Sequence, residues 1–399
     1  MLLFSFYLSK PNLRSIKSLL IFYDYFYPGY KAGGPIQSLT NLILSIEIDY
    51  EISVITSAYD LNENSPYTSI LINEWNTVIL PGATKPIQVL YVGKNIKRND
   101  YKLLVLKVNP GVVYFNNIYS TTFFRVPLFF VKQLPEQPRV VICPRGMLQK
   151  GALAVKPLKK KLYLAYLRMT GVLNNAWWHA TNHEELTDIQ KHFPVNKGIT
   201  VAENIPKPPY NEFAKCLKTS GTLKLVFLSL ITEKKNLLHL LEVIKASDGL
   251  ITLDIFGPVK DAAYWKECMV FIKQIGSRVN YKGDVLPIQV QETLSNYDAL
   301  ILLTKGENFG HALYESLSVG RPVVTSHFTP WVNLANQYAG WNVKIDTITE
   351  TVALLNKLLL LDANQFSMYC AGAHKMAVTY FNQLETKAKY NLLFSGANN

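Results

Sequence analysis

"ALILLTKGENFGHALYESLSVGRPVVTS", Ala299–Ser326, decides how this chain is read. The apolar run "ALILLT" ends at Thr304, the polar turn "KGEN" follows, and an amphipathic stretch begins near Gly310. Gly320 closes that stretch and a second apolar run, "RPVVTS", begins. Short apolar runs bounded by turn residues read as buried strands, and the segment between them has helical spacing. Strand, turn, helix and strand in this order build parallel sheets covered on both faces. Glu307 stands at the mouth of the strand–helix turn, and Glu315 lies one turn into the helix. At the helix start the backbone amides of Phe309 to Ala312 form an anion site. Glu307, just before them, can accept hydrogen bonds from hydroxyls, while His311 and Glu315 share a helix face. An acid near a helix start is also explained as a dipole-favoured or capping group.

The same alternation extends in both directions. Before Ala299 come the strand runs "LKLVFLSLI", "ITLDIFG" and "VNYKG", separated by the helical patterns "KNLLHLLEVIKA", "AAYWKECMVFIKQI" and "IQVQETLSNY". Further upstream "SLLIFYDYF", "YEISVITSA", "PIQVLYVG", "KLLVLKVN", "GVVYFNN" and "RVVICPRG" read as strands, with the helical stretch "GGPIQSLTNLILSI" after the first. Between the two series lies "ENIPKPPYNEF", where Pro206, Pro208 and Pro209 deprive helix and strand alike of backbone donors; it reads as a linker. With 399 residues the chain exceeds one ordinary core. The expectation is two doubly wound α/β domains facing across a cleft, with ligands beyond the carboxyl ends of the strands. Residues 1–17 read as an extension, 18–205 as the first domain and 206–379 as the second. Residues 380–399 are expected to return as a helix to the first domain.

Composition narrows the class. The chain is 49% hydrophobic and 18% charged, as a folded globular protein is. Cys143, Cys216, Cys268 and Cys370 show no C-x-x-C spacing, which fits buried thiols in a reducing compartment. No run approaches the ~20 apolar residues of a membrane span, and Arg125 and Pro127 break the best one. The N-terminus lacks the basic start and cleavage site of a secretion signal, so a cytoplasmic location is expected. The formal net charge of +12 suits a polyanionic partner, or a generally basic surface with none. Since no nucleic-acid-binding module is visible, nucleic acid is not expected as that partner.

Three further features bear on chemistry. Gly33 and Gly34 in "YPGYKAGGPIQSL" open a helix after the first strand, where amides can approach a phosphate or form an ordinary turn. In "LSLITEKKNLLHLL", Lys234 and Lys235 stand between strand and helix, either as point charges for a phosphate or as a solvated pair. In "KPLKKKLYLAYLR", Lys156, Lys159, Lys160, Lys161 and Arg168 alternate with Leu and Tyr. That run suits an anionic membrane surface or acceptor, and equally a solvated helix face.

The string "GENFGHALYESLSVGRPVVTS" resembles the E-x7-E region of retaining family 4 glycosyltransferases (glycosyl transferases group 1), enzymes of the two-Rossmann-domain GT-B architecture. "GGP", "CPRGML", "HATNHEE", "EKKN", "LDIFGP", "YKGDV" and "FTPW" follow in the family's order. The resemblance implies a transferase that moves a sugar from a nucleotide sugar, with UDP expected, to a glycan or lipid-linked acceptor in surface polysaccharide synthesis. It implies donor contacts at Gly33, Gly34, Lys235, Asn308, Phe309, Gly310 and Glu315, with Glu315 on the ribose. Glu307, Arg145 and His179 are the candidate catalytic positions; Glu307 holds sugar hydroxyls, and His179 reads equally as a structural histidine. No D-x-D occurs, so neither metal nor other cofactor is expected. One departure stands out: Leu230 occupies the place where the family carries an arginine, and Arg145 is expected to compensate from the other domain. The alternative is an epimerase-like or catalytically weak GT-B protein.

Overall fold

The computed structural model describes residues 17–210, 213, 218–383 and 385–395. Strand β1 (Lys17–Phe22) shows why the first sheet is covered on both sides. Leu19 and Ile21 enter one apolar cluster and Leu20 and Phe22 another, all fully buried. Successive strand side chains point to opposite faces, so an unbroken apolar run needs cover on each. The other strands of this sheet are β2 (Tyr50–Ser57), β3 (Trp75–Val78), β4 (Ile87–Val92), β5 (Val112–Phe115), β6 (Arg139–Ile142), β7 (Trp177–Ala180) and β8 (Gly198–Val201). Their order is β3-β4-β2-β1-β5-β6-β7-β8, parallel throughout except for the antiparallel edge pair β3–β4.

The second sheet comprises β9 (Leu223–Leu228), β10 (Ile251–Phe256), β11 (Val279–Gly283), β12 (Ala299–Leu302), β13 (Val323–Ser326) and β14 (Gly340–Val343). It is fully parallel in the order β11-β10-β9-β12-β13-β14. In both sheets the order reverses beside the first strand of the domain, β1 or β9, which opens a crevice at the carboxyl ends there. The architecture is GT-B: two Rossmann-like domains with a cleft between them.

Two expectations change. "KLLVLKVN" is not a strand; it supplies the end of the helix Arg98–Leu106. Tyr101 and Val105, four apart, are its buried residues while Leu103 is 69% exposed, a period of 3.6 rather than 2. The domain boundary near 380 also shifts. The helix Ala363–Gln383 runs through that point, and the Tyr380 ring still packs on Trp331 of the second domain at 5.0 Å. The return to the first domain is made by the helix Thr386–Ser395, whose Tyr390, Leu393 and Phe394 enter that domain's core. Arg139 Nε donates to the Leu393 carbonyl at 2.7 Å, and Lys389 reaches Glu203 at 2.8 Å. Cys143, Cys268 and Cys370 are buried; Cys216 and residues 1–16 lie outside the described residues, while Lys17, the last residue of the expected extension, already belongs to β1. No helix among the described residues is long and apolar enough to cross a membrane.

Candidate functional site

A cavity of about 390 Å³ lies between the domains, at the carboxyl ends of β1, β9 and β12. Its second-domain wall is built by the quoted stretch. Strand β12 stops at Leu302, and the helix His311–Ser318 starts after Gly310, which adopts φ 78° and provides no side-chain cap. The first amides of that helix have no partner within it and add their dipoles at the cavity. Phe309 lines the cavity as well. Its ring packs on His311 and Trp331, and its carbonyl accepts from Trp331 Nε1 at 2.6 Å.

Glu307 and Glu315 are held in different ways. The amide of Glu307 donates to the Phe328 carbonyl at 2.9 Å, and its carboxylate is ion-paired with Lys235. Lys235 closes a single helical turn, Glu233–Lys235, because Asn236 breaks it at φ 58° and its side-chain amide donates to the Leu303 carbonyl. Glu315 is only 4% exposed, accepts from Gln37 Nε2 at 3.1 Å and lies 3.9 Å from Lys207 Nζ. Burial pushes its carboxyl up to about 7; Lys207 and the Gln37 bond act in the opposite direction.

Cations dominate the remainder of this wall. Lys234, Lys235 and Lys260 all line the cavity, as does Leu230. The backbone amide of Lys260 donates to the Ile231 carbonyl at 3.2 Å, which sets Lys260 beside the loop holding Leu230. Partial burial and the Lys235 charge lower the Lys260 ammonium from its usual range. Lys260 is absent from the sequence expectations. A cation just after a Gly-Pro turn at a strand's carboxyl end, as in "FGPVK", is the signal that reveals it.

The first-domain wall is made of glycines and neutral amides around one arginine. Gly33 (φ 75°) and Gly34 lie close against the other domain: a Cβ on Gly34 would stand 3.0 Å from His311 Cδ2. Gly146 (φ 75°) faces Asn308, whose Nδ2 would be 2.7 Å from an added Cβ. Across this gap Ser38 Oγ bonds His311 Nε2 at 2.6 Å, and Gln149 Nε2 donates to Asn308 Oδ1 at 2.9 Å. Burial, reinforced by the charges of Arg145, Lys207 and Lys235, pushes His311 down to about 3, so this imidazole is neutral. Arg145 donates from Nε and Nη2 to Asn116 Oδ1 at 3.1 and 2.8 Å, from Nη1 to Asn204 Oδ1, and from Nη2 to the Tyr114 hydroxyl at 3.3 Å. All these hydrogen-bond partners are neutral and no ion pair engages Arg145 among the described residues, although the charge of Glu185 acts on it. Glu185 shapes this loop by accepting from the Gly146 amide at 2.6 Å.

Placed on this frame, Glu307, Glu315, Lys235, Asn308, Phe309, Gly310, Gly33, Gly34 and Arg145 converge on one cavity. His179 does not join them. It is fully buried, with Nε2 on the Ala202 carbonyl at 2.8 Å and Nδ1 on the Tyr114 hydroxyl at 2.7 Å. A carbonyl only accepts, so Nε2 carries the proton and Nδ1 accepts from Tyr114. Burial and the Arg145 charge push its pKa down to about 3. His179 is therefore a neutral strut behind Arg145, and its expected substrate contact is withdrawn. Lys156, Lys159, Lys160, Lys161 and Arg168 lie outside the cavity, on or at the start of the helix Pro157–Met169.

Residues 211–372 match the family described as glycosyl transferases group 1. Solved structures share the fold over nearly the whole chain. The sucrose-phosphate synthase of Thermosynechococcus elongatus aligns with TM-score 0.69 at 13% identity, over 96% of this chain and 100% of that one. Anabaena HepE in complex with UDP-glucose aligns with TM-score 0.66 at 12% identity, over 95% and 99%. The lipopolysaccharide outer core galactosyltransferase WaaB aligns with TM-score 0.59 at 16% identity, over 96% and 100%. No curated protein matches the chain in sequence.

Proposed function

We propose that this protein is a retaining glycosyltransferase that moves a sugar from a nucleoside-diphosphate sugar to a glycan or lipid-linked saccharide in surface polysaccharide synthesis. One observation carries the reading: a helix start flanked by Glu307 and Glu315, with Lys235 and Lys260 on the same wall, faces Arg145 of the other domain across one cavity. Negative charge grows on the diphosphate as the donor's C1–O bond breaks. Preorganised amides and cations stabilise it there without reorganisation. In this reading Glu315 accepts from the ribose hydroxyls, Glu307 from the sugar hydroxyls, and Lys235 with Lys260 and Arg145 meets the diphosphate without a metal ion. The acceptor oxygen bonds C1 on the face the diphosphate leaves, and its proton passes to a departing phosphate oxygen. UDP is the first nucleotide to test, because Anabaena HepE, of the same fold, holds UDP-glucose.

The test is a panel of UDP-, GDP-, ADP- and dTDP-sugars read by thermal shift and by release of the nucleoside diphosphate. Stabilisation and slow hydrolysis with one nucleotide class are expected. No response to any donor overturns the proposal and favours a degenerate protein in which Leu230 has cost the diphosphate site its arginine.

A further inference from the structure

The helix Pro157–Met169 leaves an apolar row in solvent. Its inward side chains, Leu164 and Leu167, join the first domain's core. On its outer side Leu158, Leu162, Tyr166 and Met169 are 76%, 72%, 60% and 88% exposed. Spacings of four, four and three residues align them in one row, confined to an arc of about 80° by the helical repeat. Lys159 falls on one side of that row and Lys161 with Arg168 on the other, all exposed. Among the described residues no ion pair engages these three. The surrounding sequence has the same bias: from Gln137 to His183 there is no Asp or Glu, against eight Lys or Arg.

Single exposed leucines are ordinary, whereas a continuous apolar row between unpaired cations marks a contact surface. The occupant must bury the row and accept positive charge on both flanks. A second copy of the chain would bring like charges together. A nucleic acid would satisfy the cations and leave the leucines in water. A bilayer with anionic lipid satisfies both, since the apolar side chains enter the acyl boundary while the lysine and arginine heads stay at the phosphates. The geometry points to docking of this helix on an anionic lipid bilayer, with Leu158, Leu162, Tyr166 and Met169 inserted and Lys159, Lys161 and Arg168 at the headgroups. The helix begins eight residues after Gln149, which lines the cavity, so docking sets the first-domain side of the cleft near the lipid surface.

Co-sedimentation of the full chain with vesicles tests this, comparing phosphatidylcholine alone with a phosphatidylcholine–phosphatidylglycerol mixture. Partitioning at least about tenfold stronger to the mixed vesicles is expected, weakening as salt rises. Combined Leu158→Ser, Leu162→Ser and Met169→Ser should lower it by about tenfold or more, and so should combined Lys159→Glu, Lys161→Glu and Arg168→Glu. These side chains are solvent-exposed, so an unchanged melting temperature accompanies the loss. Should a triple variant misfold, the single changes Leu162→Ser and Met169→Ser are each expected to weaken partitioning about threefold. Absence of vesicle binding, equal binding to both vesicle types, or binding indifferent to the apolar substitutions overturns the proposal. A dimer that dissociates on the apolar substitutions, without vesicle binding, assigns the row to a second copy and overturns it as well.

Discussion

Arg145 on the first wall of the cleft and Lys235 on the second face the same cavity, yet they are held in opposite ways. Neutral amides and a phenol hold the guanidinium, so its position is fixed without a direct ion pair. Lys235 pairs with the Glu307 carboxylate, a bond that the diphosphate of the proposed donor would have to displace. The first wall is therefore preorganised, while on the proposed reading the second would exchange partners when donor binds. In the proposed reaction such an exchange would free Glu307 for the sugar hydroxyls as Lys235 takes the phosphate.

The largest expected break in this contrast is Lys235→Ala. It removes the exchanging cation, and turnover should fall by about 10²–10³. Single-turnover kinetics with saturating donor measures it, and a loss under tenfold places the diphosphate charge elsewhere. Arg145→Ala should weaken nucleoside-diphosphate binding by about tenfold and, by stranding buried acceptors, cost roughly 1–3 kcal/mol of stability. Calorimetric titration with UDP and a urea melt read the two effects separately; an unchanged dissociation constant would show that the fixed wall does not touch diphosphate.

Glu315 sharpens the comparison through pH. Its folded pKa, about 7, lies above its ordinary value of 4.5, so the native state holds a proton that the unfolded chain releases. Stability then falls as pH rises from about 4.5 to 7 and stays reduced above that, by roughly 3 kcal/mol. Glu315→Gln should melt higher than the parent above pH 7, with the gap closing toward pH 4.5, while ribose binding is lost. The buried histidines have the reverse sign: with pKa values near 3, His179 and His311 withdraw stability as pH falls below about 6.5. The smallest expected effect belongs to Lys260→Met, about a threefold to tenfold loss of affinity for UDP with uridine unaffected. Equal losses for the two ligands would remove Lys260 from the diphosphate site.

Much of the fold could be read from local pattern. The apolar runs of β9, β10, β11, β12 and β13 and the glycine that opens the helix His311–Ser318 announce themselves within a few residues. "KLLVLKVN" misled because a short apolar run fits a strand or a helix edge, and only the partners of Tyr101 and Val105 decide between them. Strands β3, β7, β8 and β14 escaped for a related reason: WNTV, WWHA, GITV and GWNV each carry a polar residue or glycine that breaks the apolar run.

The chain's own pattern determined the alternating α/β order, the helix start between Glu307 and Glu315, and the lysine pair ahead of its helix. Each depends on spacing within about a turn or a strand, where backbone geometry is set by neighbours. The tertiary structure alone decided that Gln37 meets Glu315 and Ser38 meets His311, that His179 braces Arg145 from behind, and that Lys260 joins the cations beside Leu230. Those contacts join residues far apart along the chain, many of them across two domains. Their distances follow from how two sheets dock rather than from any local preference.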